Sequence, residues 1–144
     1  MKTESSGARG LDQILQHGVT GPADVDGMAS RTDREVSVMA WNYHDDDVAG
    51  PEAAVRVAVA GIPAGTRRVL LRHYRVDRDH SNSYTVWQQM GSPQSPTPEQ
   101  YARLESAGQL QLLESPRWVS MANGSLELSF ALPRQAVSLV QVTW

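Results

Sequence analysis

Residues 44–47 read His44-Asp45-Asp46-Asp47, an imidazole followed by a run of carboxylates. Those ligand types suit a divalent cation. Their spacing does not, because consecutive side chains in an extended segment point in alternate directions and rarely converge on one ion. Asp-rich stretches between strands commonly serve as solvated turns, so no metal site is expected. Asp79-His80-Ser81 holds the residue types of a hydrolytic triad, again side by side. A triad must assemble through space as a relay, and no Gly-x-Ser-x-Gly elbow occurs. His17 and His73 stand alone and read as structural. Gly7, Gly10 and Gly18 do not have the spacing of a phosphate-binding loop and follow no strand. No cofactor is therefore expected, and the absence of cysteine removes zinc ribbons, thiol nucleophiles and disulfides.

The aromatic residues Trp41, Tyr43, Tyr74, Tyr84, Trp87, Tyr101, Trp118 and Trp144 could stack against sugar rings. Trp41 lies in the middle of an alternating segment and reads as core. Trp87 and Tyr101 are expected to pack a helical excursion onto a sheet. A net charge of −3 is weak and has the wrong sign for an electrostatic nucleic-acid binder. No apolar run approaches the length of a membrane span, so neither nucleic acid nor membrane is an expected partner. The first ten residues, MKTESSGARG, have no apolar stretch of the kind a signal peptide needs. They read as a disordered tail ahead of one domain at 11–144.

The elements that would position any site are mostly short strands. Residues 11–17 place Leu11, Ile14 and Leu15 at helical spacing before Gly18. Residues 35–43 alternate with both faces apolar, which marks an interior strand. Further strands are expected over 53–60, 66–76, 125–132 and 136–143. Asn123-Gly124 signals a hairpin turn joining 117–121 to 125–132. Between these, 80–101 breaks the period of two. A helical turn at 83–90 is possible, and Thr97-Pro98-Glu99-Gln100 starts a helix with a capping box. The sum is an all-β chain, an antiparallel β-sandwich with a short helical insertion at about 83–107.

The stretch 80–101, HSNSYTVWQQMGSPQSPTPEQY, resembles a segment of glycoside hydrolase family 39, the β-xylosidases, and more distantly the α-L-iduronidases. Trp41-Asn42-Tyr43-His44-Asp45-Asp46-Asp47, Tyr74-Arg75-Val76-Asp77 and the ending Leu132-Pro133-Arg134-Gln135-Ala136-Val137-Ser138-Leu139 are similar to the family in the same order. The resemblance covers about residues 10–144. It implies a (β/α)₈ barrel carrying two catalytic glutamates, followed by a β-sandwich, and only the part after the barrel aligns here. A barrel needs roughly 200 residues or more.

The resemblance thus implies a non-catalytic carboxy-terminal sandwich that packs on a barrel and stabilises it, in an enzyme acting on xylan or xylo-oligosaccharides. A retaining glycosidase also needs paired carboxyl groups about 5–5.5 Å apart. Glu4, Glu35, Glu52, Glu99, Glu105, Glu114 and Glu127 show no pattern that would pair them in a pocket. No catalytic residue is expected. The loop at 77–84, with Asp77, His80, Ser81, Asn82 and Tyr84, is the candidate to face the barrel or the rim of its site. The plainer reading is that Asp77 and Asn82 cap the following turn. The alternative function is a freestanding carbohydrate-binding module, with xylo-oligosaccharide as ligand. A docking face left without its barrel would be apolar and prone to self-association.

Overall fold

The strands that alternate most regularly in the sequence form the centre of the molecule. The computed structural model describes residues 2–121 and 124–144. In chain order the elements are α1 (Leu11–His17), β1 (Asp24–Arg31), β2 (Glu35–Tyr43), β3 (Ala53–Val59), β4 (Arg68–Val76), α2 (Ser83–Gln89), α3 (Pro98–Ala107), β5 (Gln111–Leu112), β6 (Arg117–Ser120), β7 (Leu126–Leu132) and β8 (Ala136–Thr143). The larger sheet has the order β1-β2-β8-β4-β5, with β6 also on β4, and every pairing is antiparallel. The smaller sheet is β3 paired with β7. The architecture is the expected all-β sandwich with helices inserted between β4 and β5.

Pleating divides each strand between two faces. The inner face of the large sheet supplies Val36, Leu71, Val140 and Val142, which close on Val59, Leu126 and Leu128 of the small sheet. A second cluster gathers Ala40, Leu132 and Ala136, with Phe130 packed against it. β2 is an interior strand, between β1 and β8, as its two apolar faces require.

The hairpin expected between 117–121 and 125–132 does not form the ladder. β6 pairs with β4 through Leu70↔Trp118 and Val69↔Val119, whereas β7 pairs with β3. Asn123 of the turn signal lies outside the described residues. The physical reason is burial: Leu126, Leu128 and Leu132 reach the core only from the opposite sheet. β1 was not expected, because Asp, Gly and Ser are poor strand formers, yet it pairs with β2 along its whole length.

The helices follow their local chemistry. Thr97 accepts from the Gln100 amide and the Gln100 side chain accepts from the Thr97 amide, a complete capping box with Pro98 inside the first turn. α3 stops at Gly108, whose N–H returns to the Leu104 carbonyl. Tyr101 is exposed on α3 and does not pack on the sheet as expected. Trp87 instead stacks on Tyr84 at 5.6 Å and donates its indole N–H to the Pro93 carbonyl. Trp41 is half-buried on the outer face rather than in the core, donating Nε1–H to Asp24 Oδ2 at 2.9 Å.

Candidate functional site: a polar seam and an apolar outer face

β4 carries the expected loop at its end. Its inner side chains are Val69, Leu71, His73 and Arg75, so the strand passes from apolar to ionisable as it approaches residue 77. His73 Nε2 lies 3.0 Å from Ser138 Oγ, and Arg75 Nε donates to the same hydroxyl at 2.9 Å. Arg75 Nη2 crosses to the Ala131 carbonyl of β7 at 3.0 Å, tying the two sheets together. Its Nη1 stands 3.6 Å from Asp77 Oδ2. His73 also meets Phe130 edge-on, with ring centroids 4.7 Å apart. These buried groups satisfy one another, which is what permits charge inside a sandwich.

Asp77 is the hub of the loop. Its Oδ1 accepts from the amides of Asp79 and His80, each at 2.8 Å, and lies 2.9 Å from His80 Nδ1. Ser81 has φ of +52°, costly for a residue with a Cβ. Its hydroxyl offsets that by donating to the Arg75 carbonyl at 2.6 Å and accepting from the Gln111 amide at 2.8 Å. Asn82 donates to the Asp77 carbonyl and caps α2, accepting from Tyr84 and Thr85 amides. Asp77, Ser81 and Asn82 therefore spend their polar atoms inside the loop. Of Asp77, His80, Ser81, Asn82 and Tyr84, it is Tyr84 that is exposed.

The seam titrates in a defined direction. Burial pushes the His73 imidazole below the ordinary 6.5, and the Arg75 charge pushes it further. For Asp77, burial alone would raise the carboxyl. Hydrogen bonds from the His80 ring and from the Asp79 and His80 amides outweigh it and hold the group below 3.8. In the unfolded chain His takes up a proton below about 6.5, while folded His73 resists it, so stability falls as pH drops through that region. The Asp77 contribution is present above about 3.9 and is lost as pH falls through the folded value. The urea midpoint is expected to decline as pH falls through about 6.5, and to decline again as it falls below about 3.9. His73→Gln should flatten the first decline; an identical slope in that variant would contradict the assignment.

Other candidates resolve as structural. His44 is buried, with Nε2 3.1 Å from the Gly21 carbonyl and Nδ1 accepting from the Asp46 amide, so its proton sits on Nε2. Asp45 Oδ2 accepts from Val19 N–H. Gln135, in the left-handed region at φ +62°, donates to the His44 carbonyl at 2.6 Å and locks this loop to the β7–β8 turn. The stretch is thus more than a solvated turn, though Asp45, Asp46 and Asp47 are exposed. Among the described residues no three His, Cys, Asp or Glu side chains are grouped to hold a metal. Glu35 is held by Ser37, Gln141 and Thr143. Glu114 faces Arg117, and Glu4 faces Lys2. The Glu99 carboxyl is lowered by its own backbone amide and by Thr97, the opposite of what a catalytic acid needs.

The outer face of the large sheet is the feature that spacing along the chain did not reveal. Cross-strand register puts Met28, Met39, Leu139, Tyr74 and Leu112 in one transverse row across β1, β2, β8, β4 and β5. The next row is Asp26, Trp41, Val137 and Val76. Leu70 and Trp118 form a separate apolar pair near β6, parted from these rows by Ser30, Ser37, Gln141 and Arg72. Met28 is 54% exposed, Trp118 57% and Leu112 40%. A shallow cleft of about 310 Å³ opens beside Trp41, Met39 and Val137.

A family model described as Glycosyl hydrolases family 39 matches residues 13–125. A β-xylosidase of Geobacillus stearothermophilus is 26% identical over 112 residues, covering 78% of this chain and 21% of its own length. An α-L-iduronidase of Mus musculus is 33% identical over 123 residues, covering 80% of this chain and 19% of its own length. The crystal structure of the GH39 enzyme from Xanthomonas axonopodis pv. citri superposes with a TM-score of 0.68 at 18% identity, over 81% of this chain and 25% of that one, which shows the shared fold. The chain spans about a fifth of the length of the curated relatives it matches. With the family model running from α1 to the edge of β7, this chain belongs to glycosyl hydrolases family 39.

Proposed function

We propose that these 144 residues form the non-catalytic β-sandwich of a longer glycosidase, packing on its (β/α)₈ barrel and stabilising it. The observation that carries this reading is the apolar row Met28–Met39–Leu139–Tyr74–Leu112 across the whole large sheet. Large contiguous apolar patches are uncommon on a free soluble domain and mark contact surfaces. By the β-xylosidase likeness, the parent enzyme breaks down xylan or xylo-oligosaccharides, with its acids on the barrel. Without a barrel, the same face drives self-association. The 77–84 loop lies at the edge of the contact, with Tyr84 as its outward-reaching side chain.

Retaining hydrolysis needs paired carboxyls across the scissile bond, and Glu35, Glu99 and Glu114 are each engaged by local partners. The 144-residue chain is therefore expected to give no release of chromophore from an aryl β-xyloside above buffer. Turnover that one Glu→Gln substitution abolishes would overturn the reading.

A further inference from the structure

Of the four tryptophans, Trp118 is the exposed one. At 57% exposure much of its ring meets solvent. Arg68 Cζ stands 4.8 Å from the ring centroid, a cation–π contact that steadies the indole. Leu70 is the register partner of Trp118 on β4, and the pleat sends Arg68, Leu70 and Arg72 to the same outer face. The indole therefore lies between two guanidinium groups, each two residues along the strand from Leu70. Among the described residues neither Arg68 nor Arg72 has an ion-pair partner. A chain with a net charge of −3 thus keeps two uncompensated cations beside its exposed indole. The acids at this end of the sheet are engaged. Glu35 lies three strands over from Trp118, about 14 Å away by strand spacing. Its oxygens are turned to Ser37, Gln141 and Thr143. Glu114 faces Arg117. The polar band of Ser30, Ser37, Gln141 and Arg72 separates this corner from the apolar rows, so barrel docking does not account for it.

We infer that Trp118, Arg68 and Arg72 form a binding site for an acidic oligosaccharide, a chain of pyranose rings bearing carboxylates. The C–H face of a pyranose is apolar and packs flat on an indole, which offers a large rigid surface with a polar edge. A guanidinium takes a carboxylate through two parallel N–H···O bonds. From Arg68 to Arg72 the strand covers about 13 Å, which leaves room for a ring on the indole and a carboxylate at either end. A flat apolar ligand would have no use for the cations, and a small anion would have no use for the indole. The two together select an anionic ring. In a longer glycosidase the site holds an acidic branch of the polymer beside the barrel. That purpose rests on the proposed function, whereas the binding itself does not.

Calorimetric titration and amide-shift mapping on the full chain test it. The probe is trigalacturonate, with xylotriose and triglutamate as comparators. Trigalacturonate should bind about tenfold more tightly than either, a difference of about 1.4 kcal/mol, and should shift the amides of Leu70, Arg72 and Trp118. Trp118→Ala, on the short strand β6, should leave the circular dichroism of the sheet in place and weaken trigalacturonate about tenfold. Arg68→Gln with Arg72→Gln should remove the preference over xylotriose. No saturation with millimolar trigalacturonate would overturn the inference. Equal binding of triglutamate, or unchanged affinity in Trp118→Ala, would reduce the effect to bulk charge and overturn it as well. So would amide shifts confined to Tyr84 and Trp87 on the helical insertion. No barrel is present in the titration, so a negative result leaves docking through the apolar rows standing, and the reverse holds too.

Discussion

Replacing Arg75 by alanine is expected to cost the domain about 3–5 kcal/mol, the penalty for leaving one member of a buried pair uncompensated. Arg75 is 4% exposed and joins Ser138, Ala131 and Asp77, which lie on three different elements. Its loss strips the Ser138 hydroxyl and the Ala131 carbonyl of a donor and leaves the Asp77 carboxylate without its cation. Domains of this size hold about 5–15 kcal/mol in total, so the variant would lose a large share of its stability. Urea unfolding followed by Trp fluorescence measures it. The double variant Arg75→Met with Asp77→Asn should recover part of the loss, because removing both charges also removes the desolvation they require. A loss below about 1 kcal/mol, within the range of ordinary surface changes, would mean that the seam does not hold the sheets together.

Placing a charge at the centre of the outer face should have a large effect of a different kind. Leu139 sits mid-row between Met39 and Tyr74 on the central strand β8. Leu139→Glu leaves the inner face of β8 untouched, so the near-UV circular dichroism of the fold should persist. Self-association of the isolated chain should weaken at least tenfold, which is about 1.4 kcal/mol or more. Sedimentation velocity over a concentration series reads the change. Equal self-association in both proteins would place the sticky surface elsewhere.

What the sequence disclosed followed from local signals. The ends of β2 and β8 were legible because alternation of Val, Met, Leu and Trp runs up to a polar break. α3 was legible from Thr97, Pro98 and Gln100, whose capping chemistry is confined to one turn. β1 was hidden because Asp24-Val25-Asp26-Gly27 reads as a loop until β2 supplies its ladder. The pairing of β6 was misread because Asn123-Gly124 signals a local hairpin, while burial of Leu126 and Leu132 is settled across the sandwich.

The site shows the same division. Asp77 and Asn82 as caps could be read from residue types alone, and the geometry bears that out. His73 looked solitary because its partner Ser138 is 65 residues away. The outer apolar row was invisible for a similar reason: its members come from five strands, and cross-strand register is not written in any one of them. Gln135 carried no signal that could have marked it as the lock on His44.

The most direct test mixes the chain with a separately produced (β/α)₈ barrel of the proposed parent enzyme and maps the contact by oxidative side-chain footprinting. The account predicts a 1:1 complex in which Met28, Met39 and Trp41 are shielded while Tyr101 on α3 reacts as before. No complex, or shielding confined to β3 and β7 with the outer row still reactive, would contradict it.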